Sequence, residues 1–217
     1  MTRILRCAAI AAATLACTAT PALADDEYIT DQVAPAWTAG SAESCADPVT
    51  APLLSAFKDN DFYALAPGGD FENGAGGWQL TGGASVETSG TGLLGSGDGA
   101  LALPVGASGT SPTFCVDERY PHFRLTVSDV DGFDDTNVRV EVVYPGLAKD
   151  NVRKAKDVKA HRNRGWELSD RINLDPLHGL KKGAGWRLVA VRVSVPSGKP
   201  GAKVHVDALL IDPRARA

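Results

Sequence analysis

The chain has 217 residues, 22% charged and 44% hydrophobic, with a net charge of −4 at pH 7. That length can bury one sizeable core, and the net acidity argues against a nucleic-acid partner. No apolar run reaches the roughly 20 residues that a membrane-spanning helix needs.

Residues 1–24 read as a signal peptide: Arg3 and Arg6 precede the apolar run Cys7 to Ala16, and Ala22-Leu23-Ala24 supplies the small residues of a cleavage site. Export with Asp25 as the new N-terminus is the expectation. The competing reading is a lipoprotein signal at Leu15-Ala16-Cys17, with Cys17 acylated. It is disfavoured because Thr14 stands where leucine is usual and Leu15 is bulky for its place. Without the leader, Cys45 and Cys115 are the two remaining cysteines. An oxidising compartment then allows one intramolecular disulfide, the alternative being two buried free thiols.

Residues 25–62, with Pro35, Trp37, Ala51 and Pro52, read as an irregular arm, with a helical turn or two in Pro52 to Phe57. Cys45 would staple this arm to the strand that carries Cys115. Residues 63–213 read as a β-sandwich domain and 214–217 as a tail. The stretch Pro67 to Leu80 is dense in glycine and carries Phe71, Glu72 and Trp78. Glycine tolerates positive φ and close backbone approach, so two turns can sit beside large aromatic rings. Held against packed backbone, the Glu72 carboxylate needs a cation or backbone N–H groups, and Trp78 opens an inward-facing strand.

Period-2 alternation follows: Leu101 and Leu103; Phe123, Leu125 and Val127; Val138, Val140 and Val142; Val189 to Val195; then Val204, Val206, Leu209 and Ile211. Such runs, punctuated by Gly and Pro, are strands with one buried face. Eight to ten of them make an all-β protein, a sandwich or jelly roll. Residues 25–148 hold 4 Lys/Arg against 19 Asp/Glu, and residues 149–217 hold 16 against 7. One sandwich whose halves attract explains this better than two domains, since neither half has strands enough to close a core.

The cluster Asp129 to Asp135 reads as a solvated turn, because an EF-hand counted from Asp129 would need glutamate where Val140 stands. The basic segment Lys149 to Arg164 lacks the aromatics of a nucleic-acid site and reads as a solvated excursion folding back over the acidic half. Attraction to anionic envelope polymers is its functional alternative. Aromatic faces hold sugars, and the candidates are Trp166, Trp186, Tyr120 and Tyr144, with Trp37 on the arm. The even positions of the Val189–Val195 run face away from the valines, which turns Trp186 outward, and Trp166 would line the same face. No nucleophile elbow exists, and His122, His161, His178 and His205 show no metal-binding spacing, so the chain reads as no enzyme.

Gly69-Asp70-Phe71-Glu72 with Gly77-Trp78-Gln79-Leu80, and the closing Val204 to Pro213, resemble the first and last strands of jelly-roll carbohydrate-binding modules of the galactose-binding-like superfamily. The span 63–213 also resembles a group of secreted actinobacterial proteins of unknown function. It shares with them Leu-x-Pro-Gly-Gly-x-Phe-Glu (Leu65 to Glu72) and Ser-Pro-x-x-Cys-Val (Ser111 to Val116). The resemblance implies a structural calcium held by Glu72 and Asp207, with Ala208 departing from the second aspartate those modules often carry. The alternative is that Glu72 bonds its own turn and Asp207 pairs with Arg187 or Arg192. A secreted, extracellular module binding a polysaccharide or cell-wall polymer is the expectation. An envelope structural or protein-interaction domain without sugar affinity is the alternative.

Overall fold

A computed structural model describes residues 45–89, 98–131, 135–146, 151–176, 178–179 and 181–213. The stretch 1–24 read as a signal peptide, Cys17 within it, Trp37, Lys149 and residues 214–217 lie outside the described residues. Those described contain one 3-10 turn, Ser55–Phe57, and thirteen strands, several only two residues long, in place of the eight to ten expected.

Two antiparallel sheets form a jelly-roll β-sandwich. One orders β10 (Glu167–Leu168), β7 (His122–Asp129), β13 (Lys203–Asp212), β4 (Gly99–Pro104) and β3 (Ser85–Thr88), with β1 (Ala64–Leu65) on β13 and β11 (Ile172–Asn173) on β7. The other orders β2 (Gln79–Thr81), β5 (Ser108–Thr110), β12 (Arg187–Ser194), β8 (Thr136–Val143) and β9 (Val152–Ala160), with β6 (Phe114–Val116) on β12. Strands from the acidic and basic halves interleave: β13 lies between β7 and β4, and β12 lies beside β8.

The alternating residues line the core as the period requires. Leu101, Leu103, Phe123, Leu125, Val140, Val191 and Val204 are each at 0% exposure, and each such burial stabilises by roughly 1.5–3 kcal/mol. Along β13 the inward set changes phase, from Val204 and Val206 to Leu209 and Ile211. A bulge between Asp207 and Leu210 produces the change, with Ala208 at φ +52°. Leu210 and Ala208 then join Leu54 and Tyr63 in a smaller cluster, which seats the arm.

The basic segment is not an excursion. Residues 152–160 form β9, an edge strand, and lysines on an edge discourage pairing with another chain. Its cations face carboxylates largely of their own half: Arg153 pairs with Asp175, Lys154 with Asp157 (2.5 Å), and Lys156 with Asp170 (2.6 Å). Lys159 meets Asp135 of the other half at 3.7 Å, and closer pairs between the halves are Arg192–Glu141 and Lys203–Glu87, both 2.8 Å. Exposed pairs of this kind contribute about 0–1 kcal/mol each, so burial rather than charge joins the halves.

In the motif at 67–80, Phe71 and Trp78 are both buried, their ring centroids 4.9 Å apart, and Phe71 takes φ +53°. A Cβ on Gly99 would lie 2.3 Å from the Phe71 carbonyl oxygen. Gly99→Ala is therefore expected to lower stability by about 1–3 kcal/mol. The denaturant midpoint measures it; an unchanged midpoint would mean that the loop retreats freely.

Candidate functional site

The arm returns to the sandwich at two anchor points. At the first, the Tyr63 hydroxyl donates to Asp59 Oδ2 (2.7 Å), which Arg124 Nη1 also meets at 2.5 Å. The Asp61 amide donates to Asp59 Oδ1 (2.9 Å), and Arg124 Nε donates to the Ser169 carbonyl (2.9 Å). These bonds fix residues 59–63 against β7. At the second, the Cys45–Cys115 disulfide closes a separation of 70 residues. It places Asp47 so that Oδ1 accepts the Tyr120 hydroxyl (3.1 Å) and lies 2.7 Å from Arg119 Nη2.

Between the anchors, at the end of the seven-stranded sheet, an open cavity of about 790 Å³ is lined by Asp47, Pro48, Thr50, Asp61, Phe62, Tyr120, His122, Arg171, Asp212 and Pro213. His122 and Asp212 meet there because they are register partners on β7 and β13. Phe62 stands at the rim with 58% of its surface exposed. Arg171 joins two carboxylates, Nη2 lying 3.3 Å from Asp61 Oδ2 and Nε 2.6 Å from Asp212 Oδ2. The second contact is a short ion pair, and the oxygen it holds is shut off from solvent. Burial pushes the Asp212 carboxyl up from the usual aspartate range, against the lowering influence of Arg171 and His122. Burial, then its bond to Asp47, pushes the Tyr120 phenol up to about 12. Exposed ring surface beside a few convergent polar groups suits a ligand with apolar faces and hydroxyl edges.

The four aromatic candidates separate. Tyr120 and Trp186 stack, centroids 5.8 Å apart, with the Arg119 guanidinium carbon 5.5 Å and 5.0 Å from their rings. Tyr120 lines the cavity, and Trp186, half-buried, supports it. Trp166 is not on that face; it stacks on His205 of β13, centroids 6.3 Å apart. Tyr144 offers no ring to a ligand. It is at 0% exposure, donates to the Leu174 carbonyl (2.9 Å), and has Arg187 4.5 Å and His178 4.6 Å from its ring centre. The pattern along β8 could not place it, since it lies one residue beyond the strand.

Phe62, Asp61, Arg171 and Asp212 escaped the sequence reading because they come from separate segments and share no motif. One signal was present: pairing Cys45 with Cys115 brings Asp47 close to Tyr120.

Glu72 does not bond its own turn; Oε2 accepts the amide of Gly99 (3.3 Å). Nor does Asp207 pair with an arginine, since Arg192 meets Glu141 and Arg187 donates to the His178 carbonyl. Asp207 is 2% exposed, and its Oδ1 accepts the Ala208 amide (2.6 Å). Burial first, and the charges of Glu72 and Asp70 after it, push its carboxyl up to about 7, while the Ala208 amide lowers it. A buried carboxylate whose charged neighbours are carboxylates suits a divalent cation. Among the described residues no group of three His, Cys, Asp or Glu side chains gathers closely enough to hold one unaided, so main-chain oxygens would have to complete the shell.

No protein-family model and no curated protein matches the chain. Solved structures similar to it include the CBM22-1 xylan-binding domain of Paenibacillus barcinonensis Xyn10C (13% identity, covering 68% of this chain and 93% of that one, TM-score 0.47). TmCBM61 in complex with β-1,4-galactotriose (17%, 67% and 95%, 0.43) is another. A third is the K1 cleaved adhesin domain of Lys-gingipain from Porphyromonas gingivalis (13%, 67% and 96%, 0.46). Likeness at this level carries no argument about what this chain binds. No helix of the described residues is long and apolar enough to cross a membrane.

Proposed function

We propose that the chain is a secreted, non-catalytic module that binds a polysaccharide or cell-envelope polymer through the cavity beside its N-terminal arm. One observation carries this reading: Phe62 exposes its ring at the rim of a cavity whose walls bring Asp61, Arg171, Asp212, His122 and Tyr120 together. The ring packs on the C–H face of a sugar while the polar side chains take its hydroxyls. Both Asp61 and Asp212 lean on one guanidinium, an arrangement that orients a ligand rather than transferring protons to it. The signal-peptide pattern read in residues 1–24 supports export. A structural calcium at Asp207, with Glu72 beside it, belongs to the same reading and acts on the fold.

Retention on immobilised polysaccharides tests the function. The wild type is expected to bind at least one polymer without releasing reducing sugar. Phe62→Ala should weaken that binding by about 10- to 100-fold, the equivalent of roughly 1.4–2.8 kcal/mol, with an unchanged melting temperature because the ring is exposed. Retention on no polymer would remove the reading, and undiminished binding by the variant would move the ligand out of this cavity. A protein-interaction domain is the second reading, favoured by Val49, 73% exposed, lying on the same arm as Phe62.

A further inference from the structure

We infer that Asn73 is a site of spontaneous covalent modification: in the folded protein its side-chain amide is lost as ammonia, leaving aspartate and isoaspartate at position 73. The reaction needs water and no enzyme. The Gly74 backbone nitrogen gives its proton to hydroxide or another base and attacks Asn73 Cγ. A C–N bond forms there, the bond from Cγ to the side-chain nitrogen breaks, and that nitrogen takes a proton from solvent and leaves as ammonia. Water then opens the five-membered imide at either carbonyl. One opening restores the ordinary backbone with a carboxylate side chain. The other routes the main chain through the side chain and lengthens it by one carbon. The balance is one water consumed and one ammonia released.

Two conditions decide where this happens: little bulk beside the attacking nitrogen, and a backbone free to turn that nitrogen onto the side chain. Asn73 is followed by glycine, whereas Asn60, Asn137, Asn151, Asn163 and Asn173 precede Asp, Val, Val, Arg and Leu. Asn73 and Gly74 are both exposed, and a Cβ at Gly74 would meet nothing within 4 Å. Gly74 takes φ +75°, a region that glycine enters and leaves without steric cost. Its N–H makes a turn bond to the Phe71 carbonyl at 3.1 Å, near the long end of the normal range. Asp98–Gly99 has the same small neighbour without the freedom. Gly99 lies in β4, its N–H donates to Glu72, and the Phe71 backbone closes it in.

The surrounding loop is closed at short range. A Cβ on Gly68 would lie 2.9 Å from the Gly76 carbonyl oxygen, so the two backbones already touch. Trp78 Nε1 donates to the Pro67 carbonyl at 3.3 Å. An extra main-chain carbon between these contacts pushes them apart and loosens the buried Phe71–Trp78 pair. The ordinary aspartate adds only a charge on an exposed turn.

Peptide mapping by mass spectrometry tests this on the full mature chain, held folded at mildly alkaline pH for several weeks. Asn73 is expected to lose its amide well before any other asparagine, with isoaspartate among the products and a rate that rises with pH. The aged protein should melt roughly 2–8 °C below fresh protein. Asn73→Gln, whose longer side chain must close a six-membered ring, should stay unmodified and keep its melting temperature on ageing. Freshly prepared Asn73→Asp carries the charge without the added carbon and should melt within about 2 °C of wild type.

An Asn73 that stays intact in the folded chain overturns the inference, and loss of its amide in denaturant alone would assign that protection to the fold. Loss at another asparagine at the same rate also overturns it, because the turn would then confer nothing. Aged protein that melts like fresh protein, or Asn73→Asp that melts as low as aged protein, overturns the strain argument.

Discussion

Replacing Cys45 and Cys115 together with serine is expected to lower the stability of this protein by about 4 kcal/mol and its melting temperature by roughly 8–16 °C. The closed separation of 70 residues is long, so most of the effect comes from freeing the unfolded chain. Ligand affinity should fall as well. Asp47, Pro48 and Thr50 line the cavity and lie within five residues of Cys45. The first anchor, built on Asp59, Tyr63 and Arg124, survives the change, so residues 59–63 stay seated while 47–50 loosen. Calorimetry and binding measured on the same double variant separate the two effects. A melting temperature within about 2 °C of wild type would show that the arm is held by its other contacts. Normal affinity in a destabilised variant would show that Asp47 does not shape the site.

Asp207 should impose the second large effect, and it depends on pH. Its carboxyl stands at about 7 in the folded state against an ordinary 3.8, so the native state keeps a proton that the unfolded chain releases. The stabilisation is therefore complete below the unfolded value, is lost as pH rises through the folded one, and amounts to about 4 kcal/mol. In chelator-treated protein, Asp207→Asn should match wild type near pH 4 and exceed its stability by up to about 4 kcal/mol near pH 8, since asparagine can still accept the Ala208 amide. Added calcium should restore the wild type at the higher pH and leave the variant unmoved, because only the carboxylate repays a cation. Denaturant melts at both pH values decide it. A difference between the two proteins that does not change with pH would refute the burial argument. A wild type indifferent to calcium would dismiss the ion alone.

Much of the sandwich was legible before any coordinates. The alternating valines of β8 and β12 announced strands with one wet face, and on β13 even the change of phase, from Val204 and Val206 to Leu209 and Ile211, was visible as spacing. The bulge that explains that phase change was not, because it depends on Ala208 accepting a left-handed conformation that its packing against Leu54 and Tyr63 enforces. The basic run from residue 152 looked like a loop for a related reason. Its charges hid a strand whose edge position leaves Lys154 and Lys159 free to reach water and carboxylates.

Local pattern and chain chemistry thus carried the β architecture, the cysteine pairing and the inward placing of Trp78, since each follows from neighbours a few residues away or from there being a single partner to choose. The cavity belongs to the fold. Asp61 and Phe62 come from the arm, Tyr120 and His122 from around the start of β7, Arg171 from the residue before β11, and Asp212 from the end of β13. Nothing in their spacing binds them into a set. They meet because antiparallel pairing puts the start of one strand beside the end of another, and because a partly buried salt bridge and a disulfide fold the arm back over that corner. Aromatic residues obeyed the same division: whether Tyr144 or Phe62 faced water was decided by what packed across from each.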